Sequence, residues 1–161
     1  QLDKIPEADN IGFIQSRFQQ FDIEISGEQI GYILETTESI PYYVQFLASE
    51  LWQNVISVKK KINLEDIDKA VEGIIASQSD FYLELYDNLS QYQKNVLLAI
   101  AESGIGIYSK KYADKFGLSS ASSTQRAVSK MYDEGIIEKE KKVILFSDPF
   151  FKRYLLSRFS I

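Results

Sequence analysis

Cysteine and histidine are absent from the 161-residue sequence. Their absence excludes disulfides, thiolate nucleophiles, histidine general bases and zinc sites of the usual ligand types. The lack of cysteine also fits a reducing compartment. No apolar run approaches the roughly 20 residues of a membrane-spanning helix, and no signal-peptide pattern opens the chain. We therefore expect a soluble, cytoplasmic protein without a membrane partner, and the sequence predicts no catalytic residue and no metal site.

The remaining composition is that of a folded protein. Hydrophobic residues make up 45% and aromatic residues 13% of the sequence, enough for one medium domain or two small ones. The net charge of −5 is unevenly divided, because residues 1–89 hold 6 Lys and Arg against 16 Asp and Glu, whereas residues 90–161 hold 12 against 7. The basic second half favours nucleic acid as a partner, although attraction between the halves explains the same division. The chain begins with glutamine, which indicates a fragment.

A winged helix-turn-helix is predicted over residues 89–148. It begins at Ser90 and Gln93, a capping box in which a serine and a glutamine three residues later satisfy two amides at a helix start. Apolar residues follow at helical spacing, and Gly104 lies where the pattern stops. The sequence therefore predicts the first helix of the domain at this point.

Two further helices and a hairpin complete the pattern. A short helix over 109–116 is followed by Gly117, which suits a left-handed C-terminal cap, and a third helix covers roughly 120–134. Two β-prone runs, 136–137 and 143–146, flank a charged segment and predict a two-stranded wing. In this order of elements, the third helix can enter a DNA major groove.

Polar and basic side chains on the third helix and the wing are the candidate DNA-binding or partner-binding residues. Helix residues can reach base edges, and wing lysines can contact phosphates. Acidic residues beside them weaken the positive field, and charged helix faces also serve in protein docking, so both kinds of partner stay open. The candidates are Ser122, Gln125, Arg126, Ser129 and Lys130 on the helix, and Lys139, Lys141 and Lys142 on the wing.

The first half of the chain has the pattern of a helical bundle. Apolar residues recur at helical spacing over 11–21, after a capping box at Ser26, and after Pro41, which is tolerated in a first helical turn. A further pattern over 63–89 is longer than the usual globular helix and predicts one helix that connects the two halves. After the wing, the Asp-Pro pair at 148–149 predicts a last, aromatic helix.

Taken in order, these motifs resemble the C-terminal part of archaeal-type P-loop ATPases, a STAND-like branch of the AAA+ superfamily. In that family a GxP-Y element opens a lid helix behind the nucleotide, and a winged helix follows. The matching segments cover nearly the whole chain and are 14–18, 37–48, 51–52, 89–93, 96–101, 117–119 and 148–151.

The resemblance implies that a P-loop core outside this chain binds ATP and magnesium, with Pro41 and Tyr42 near the base. No G-x-x-x-x-G-K-[ST] loop and no strand ending in paired acids occurs in the 161 residues, so we do not expect this chain to hydrolyse ATP. Ser39 stands where the resemblance implies glycine. On a simpler interpretation, Pro41 only starts a helix.

We therefore predict a mostly α protein with a helical lid-type subdomain over 1–62, a long connecting helix over 63–89 and a winged-helix domain over 90–161. Its predicted role is that of a non-catalytic regulatory part of such an ATPase. The lid would cover nucleotide in the P-loop core, and the winged helix would dock on protein or DNA. The alternative is a self-standing DNA-binding transcriptional regulator, which predicts a dimer with its recognition helices roughly 34 Å apart.

Overall fold

The structure, a computed structural model, describes residues 7–58 and 61–159, with side chains from residue 11 onward. These residues form nine helices and one two-stranded hairpin, which confirms the predicted mostly α fold. The chain divides into two compact units, Gln1–Ser77 and Gln78–Ile161. Among the described residues, every helix is too short or too polar to span a bilayer.

The described part of the first unit is a helical bundle. Its helices are α1 (Glu7–Gln19), α2 (Gly27–Thr36), α3 (Pro41–Val55) and α4 (Leu64–Ser77). The packing of α3 on α4 is the most extensive, and α1 and α2 complete the bundle. The predicted apolar stripes form the core, which includes Ile14, Phe18, Ile30, Ile33, Leu47, Leu51, Ile67 and Ile74.

Helix starts in this unit follow the capping signals in the sequence. The Ser26 amide donates to Gln29 Oε1 at 2.7 Å, and the Gln29 amide donates to Ser26 Oγ at 3.4 Å. A reciprocal pair of the same kind joins Asn63 and Asp66 at 3.0 and 2.9 Å. Pro41 occupies the first turn of α3, where no backbone donor is needed. The acidic Asp66 is therefore accounted for as a cap.

The segment predicted as one helix over 63–89 is two helices in the structure. α4 ends at Ser77, and α5 (Ser79–Asp87) begins after Gln78, which has φ −102° and ψ 1°. The Ser77 hydroxyl donates to the Ile74 carbonyl at 2.8 Å, and such local hydrogen bonds compete with helix continuation. Apolar residues keep their spacing across the interruption, which is why periodicity alone predicts a single helix.

The second unit has the winged-helix arrangement that the sequence predicts. After α5 come α6 (Gln91–Glu102), α7 (Lys110–Phe116), α8 (Ala121–Asp133), β1 (Ile137–Glu140), β2 (Val143–Phe146) and α9 (Pro149–Phe159). α6 lies at the centre of the unit and packs against α7, α8, α9 and β2. Gly117 ends α7 with the left-handed φ of 65°, as predicted.

The wing is a hairpin with a two-residue turn. β1 and β2 are antiparallel, and Glu140 pairs with Val143. The turn therefore consists of Lys141 and Lys142, and Lys141 has a left-handed φ of 55°. Both lysines are exposed at the tip.

A close backbone approach ties the wing to the loop between α6 and α7. The Ile144 amide of β2 donates to the Gly104 carbonyl at 2.8 Å. A Cβ on residue 104 would overlap the Ile144 carbonyl, so only glycine permits this approach. The loop and the wing are consequently held together as one surface.

Asp148 begins the last helix and joins it to α5. Its Oδ1 accepts hydrogen bonds from the amides of Phe150 and Phe151 at 2.8 and 3.2 Å, and its Oδ2 accepts one from the Tyr82 hydroxyl at 2.9 Å. Burial raises the pKa of the Asp148 carboxyl, and these hydrogen bonds offset the rise only in part. The aromatic face of α9 is buried, as its sequence predicts.

Candidate nucleic-acid interface

The exposed face of α8 is set by the residues that the helix buries. Thr124, Val128 and Met131 are buried where α8 packs against α6 and β1. Ser120 caps the helix by accepting the Ser123 amide at 3.1 Å, and the Thr124 hydroxyl donates back to the Ser120 carbonyl at 2.9 Å. These contacts fix the rotation of α8 about its own axis.

The five predicted residues of α8 are divided between two sides of the helix. Gln125 faces the wing side, where its Oε1 accepts a hydrogen bond from the Tyr108 hydroxyl at 2.8 Å. Arg126 and Lys130 instead line a cleft against the start of α6. Ser129 is half-buried. Gln125 and the pair Arg126 and Lys130 therefore border different depressions on the two sides of α8.

Ser122 lies near the N-terminal end of α8 and is exposed. Its hydroxyl is 3.1 Å from the Ser120 hydroxyl. No acidic residue occurs in the first turn of α8, whereas Asp133 and Glu134 lie at its C-terminal end. The N-terminal part of the exposed face therefore combines polar groups with the positive end of the helix dipole.

The three predicted wing lysines line one depression, which we call the wing groove. It has a volume of about 240 Å³, and Gln125, Tyr108 and the loop glycines Gly104 and Gly106 also line it. The Lys139 ammonium lies 4.9 Å from the ring centroid of Tyr132 on α8. The wing groove thus brings Lys139, Lys141 and Lys142 next to Gln125. The sequence predicts all four as candidate binding residues, but not that they line one depression.

A second depression, the α6–α8 cleft, lies on the other side of α8. It has a volume of about 430 Å³. Besides the two predicted cations it is lined by Ser90, Tyr92, Gln93, Ser119, Ser123 and Ala127. The sequence indicates Ser90 and Gln93 only as a helix cap, because nothing in the chain order shows that α8 passes beside the start of α6.

Tyr92 lines this cleft and is hydrogen-bonded to residues at the start of α8. Its hydroxyl accepts a hydrogen bond from the Ser119 amide at 3.2 Å and lies 3.0 Å from the Thr124 hydroxyl. Burial acts to raise the pKa of the Tyr92 phenol, but the hydrogen bonds with Ser119, Thr124 and Ser120 together outweigh it and leave that pKa below its usual value. Tyr92 therefore connects the start of α6 to the residues at the start of α8.

In the first unit, the predicted nucleotide-proximal residues lie at the start of α3. Pro41 is half-buried, and Tyr42 is 61% exposed with its ring centroid 5.0 Å from that of Tyr43. Ser39, which stands where the family resemblance implies glycine, has a φ of 56° in the left-handed region that glycine favours. Glycine would adopt this backbone conformation with less strain than serine.

A further depression of about 400 Å³ lies between α1 and α3. Aromatic residues dominate its lining, and Phe21 lies 5.2 Å from Trp52 between ring centroids. Trp52 Nε1 is buried there without a hydrogen-bond acceptor among the described residues. Among the described residues, Arg17 is the only cation that lines it, and its guanidinium lies over the Phe13 ring at 5.7 Å.

Comparison with known proteins agrees with this architecture. Residues 80–157 match a family model described as a probable winged helix domain, which confirms the predicted winged helix. The structure is similar to that of the Walker-type ATPase of Pyrococcus abyssi, with a TM-score of 0.68 and 14% sequence identity over 94% of this chain. At the level of the fold, this likeness confirms the resemblance to an archaeal P-loop ATPase. The chain spans 42% of the length of that ATPase. Among curated proteins, none matches this sequence.

Proposed function

We propose that this chain is the lid and winged-helix part of a P-loop ATPase and that its winged helix binds double-stranded DNA. The observation that carries the proposal is the likeness in fold to a Walker-type ATPase over 94% of the chain, which includes residues of both units. An isolated winged helix that belonged to an unrelated regulator would not be expected to carry this particular helical bundle before it.

ATP and magnesium would be bound by a P-loop core and not by these 161 residues, since no P-loop sequence occurs in them. The lid would approach the nucleotide with the start of α3, where Tyr42 is exposed and Pro41 fixes the first turn. We expect the 161-residue chain to release no phosphate from ATP. ATPase activity that copurifies with the 161-residue chain would contradict this assignment.

The arrangement around α8 favours DNA as the partner of the winged helix. Ser122, Gln125 and Arg126 are exposed on the N-terminal half of α8. Hydroxyl and amide groups are suited to base edges in a major groove, and the guanidinium adds positive charge beside them. Lys139, Lys141 and Lys142 of the wing groove would contact backbone phosphates. The acidic residues of α8 lie at its C-terminal end, away from Ser122 and Gln125.

The test is fluorescence anisotropy of a labelled mixed-sequence duplex titrated with the 161-residue chain over a series of salt concentrations. Each phosphate contact releases counterions, so the affinity falls as salt rises. Replacing one wing lysine by alanine should reduce the slope of log K against log salt by roughly one, whereas Gln125→Ala should weaken sequence preference. Lys115→Ala is the matched control, because Lys115 lines neither depression and pairs with Glu102 at 2.6 Å.

Three outcomes separate the candidate roles. A salt-dependent affinity that falls in the wing variants but not in Lys115→Ala supports DNA binding. No binding at low salt contradicts it and leaves the winged helix as a protein-docking module. A stable dimer whose two α8 helices lie roughly 34 Å apart would favour the self-standing regulator instead.

A further inference from the structure

The α6–α8 cleft contains a buried donor that no group in the described structure satisfies. Gln93 is 5% exposed, and its Oε1 accepts the Ser90 amide at 3.0 Å as part of the helix cap. Its Nε2 is buried without a hydrogen-bond acceptor. A buried amide nitrogen without an acceptor is costly, so an oxygen atom from outside the protein would stabilise this arrangement.

The groups around Gln93 are suited to an anion. Arg126 and Lys130 line the cleft, and none of the side chains that line it is acidic. The Arg126 guanidinium donates to the Ser123 hydroxyl at 3.3 Å and has no ion pair with a described residue. Lys130 lies 3.8 Å from Glu134, but both side chains are largely exposed, so the pair neutralises little of the charge.

The start of α6 adds to this positive potential. α6 has 12 residues, and no acidic residue lies in its first turn. Ser90, Tyr92 and Gln93 at the start of α6 line the cleft, and no first-turn carboxylate balances the positive end of the helix dipole there. The hydroxyls of Ser90, Ser119 and Ser123 provide further donors along the same wall.

We propose that the α6–α8 cleft binds a phosphate group, held between Gln93, Arg126 and the start of α6. We assign this phosphate to the backbone of a DNA duplex, and this assignment rests on the proposed DNA-binding function. A helix in a major groove has one DNA strand on each side of it. The wing groove and the α6–α8 cleft lie on opposite sides of α8, so the wing contacts one strand and the cleft contacts the other.

The cleft can be tested apart from DNA binding by titrating the ¹⁵N-labelled chain with inorganic phosphate at constant ionic strength, with chloride as the balancing anion. The Gln93 side-chain amide and the Arg126 guanidinium signals should shift saturably. Gln93→Glu keeps an acceptor for the Ser90 amide, because Ser-x-x-Glu is also a capping box, but it replaces the unsatisfied donor by a negative charge. We expect the phosphate affinity to fall by about tenfold.

The chain offers a matched control in its other capping box. Gln29 caps α2 in the same way as Gln93 caps α6, with a 2.7 Å hydrogen bond from the Ser26 amide, but it lies away from the cleft. Gln29→Glu should leave the phosphate titration unchanged. Melting curves of both variants show that each is folded, and a Gln93→Glu variant that binds phosphate like the wild type overturns the proposal.

The source of the phosphate is tested by adding duplex DNA to the phosphate-bound chain. If the cleft holds a backbone phosphate, DNA displaces inorganic phosphate, and Gln93→Glu reduces the salt slope of DNA binding by roughly one. Phosphate binding without displacement by bound DNA overturns the assignment to a DNA strand and indicates a small phosphorylated ligand. Phosphate binding with no DNA binding counts against the proposed function alone. DNA binding without any response to inorganic phosphate overturns the proposal that the cleft binds a phosphate group.

Discussion

Gly104→Ala should separate the wing from the loop that supports it. The added Cβ would overlap the Ile144 carbonyl, and this overlap involves backbone atoms that no side-chain rotation can relieve. Forcing such an approach apart costs about 1–3 kcal/mol, and weakening the hydrogen bond from the Ile144 amide to the Gly104 carbonyl adds about 1 kcal/mol. We therefore expect the free energy of unfolding of the second unit to fall by about 2–4 kcal/mol.

Thermal unfolding followed by circular dichroism and amide hydrogen exchange at Ile144 are the assays. For a unit of this size, 1 kcal/mol corresponds to a melting shift of about 4–8 °C, so the expected loss is easily measured. Because the wing carries three lysines of the wing groove, DNA affinity should fall with it. Gly31→Ala is the control, since Gly31 lies inside α2 with no atom near its added Cβ, and alanine should stabilise that helix by about 0.5–1 kcal/mol. Unchanged melting and unchanged Ile144 protection in Gly104→Ala would refute the reasoning.

Three further predictions follow from the fold. Asp148→Asn keeps a side-chain cap but cannot titrate. Because the pKa of Asp148 is raised above 3.8 in the folded protein, the stability of the wild type relative to this variant should be highest below pH 3.8 and should fall as pH rises through the raised pKa. Urea unfolding over a pH series measures this difference. Phe151→Ala empties a fully buried site and should cost about 3–5 kcal/mol in chemical denaturation, and a cost below 1 kcal/mol would contradict the packing described for α9. Ser26→Ala removes the cap of α2 and should lower the stability of the first unit by about 1 kcal/mol, measured through the fluorescence of Trp52, the sole tryptophan.

Local signals in the sequence predicted the helix starts well because each depends on residues three or four positions apart. The boxes at Ser26 and Ser90 and the Asp148 cap form the hydrogen bonds expected of them. The left-handed cap at Gly117 follows from the same short-range chemistry. These signals need no knowledge of the tertiary packing, and so they can be identified from the chain alone.

The site was harder to predict because it depends on which helix passes beside which. Sequence periodicity places Gln125 and Arg126 on one polar face, but it does not show that one borders the wing groove and the other the α6–α8 cleft, because that depends on which elements lie on either side of α8. Gln93 appeared only as a cap, since its unsatisfied amide arises from burial. The interruption at Gln78 was missed for a related reason, because hydrophobic spacing continues through it.

The turn of the wing has a consequence for how the protein could be altered. Lys141 has a φ of 55°, a conformation that costs a residue with a Cβ about 1 kcal/mol and glycine almost nothing. A two-residue hairpin turn selected for folding alone would carry glycine or asparagine there. Local stability and tip charge are therefore opposed at a single residue, and a substitution that relaxes the backbone also removes a cation from the wing groove. Engineering for thermal stability should leave this turn unchanged if the charge of the wing is to be kept.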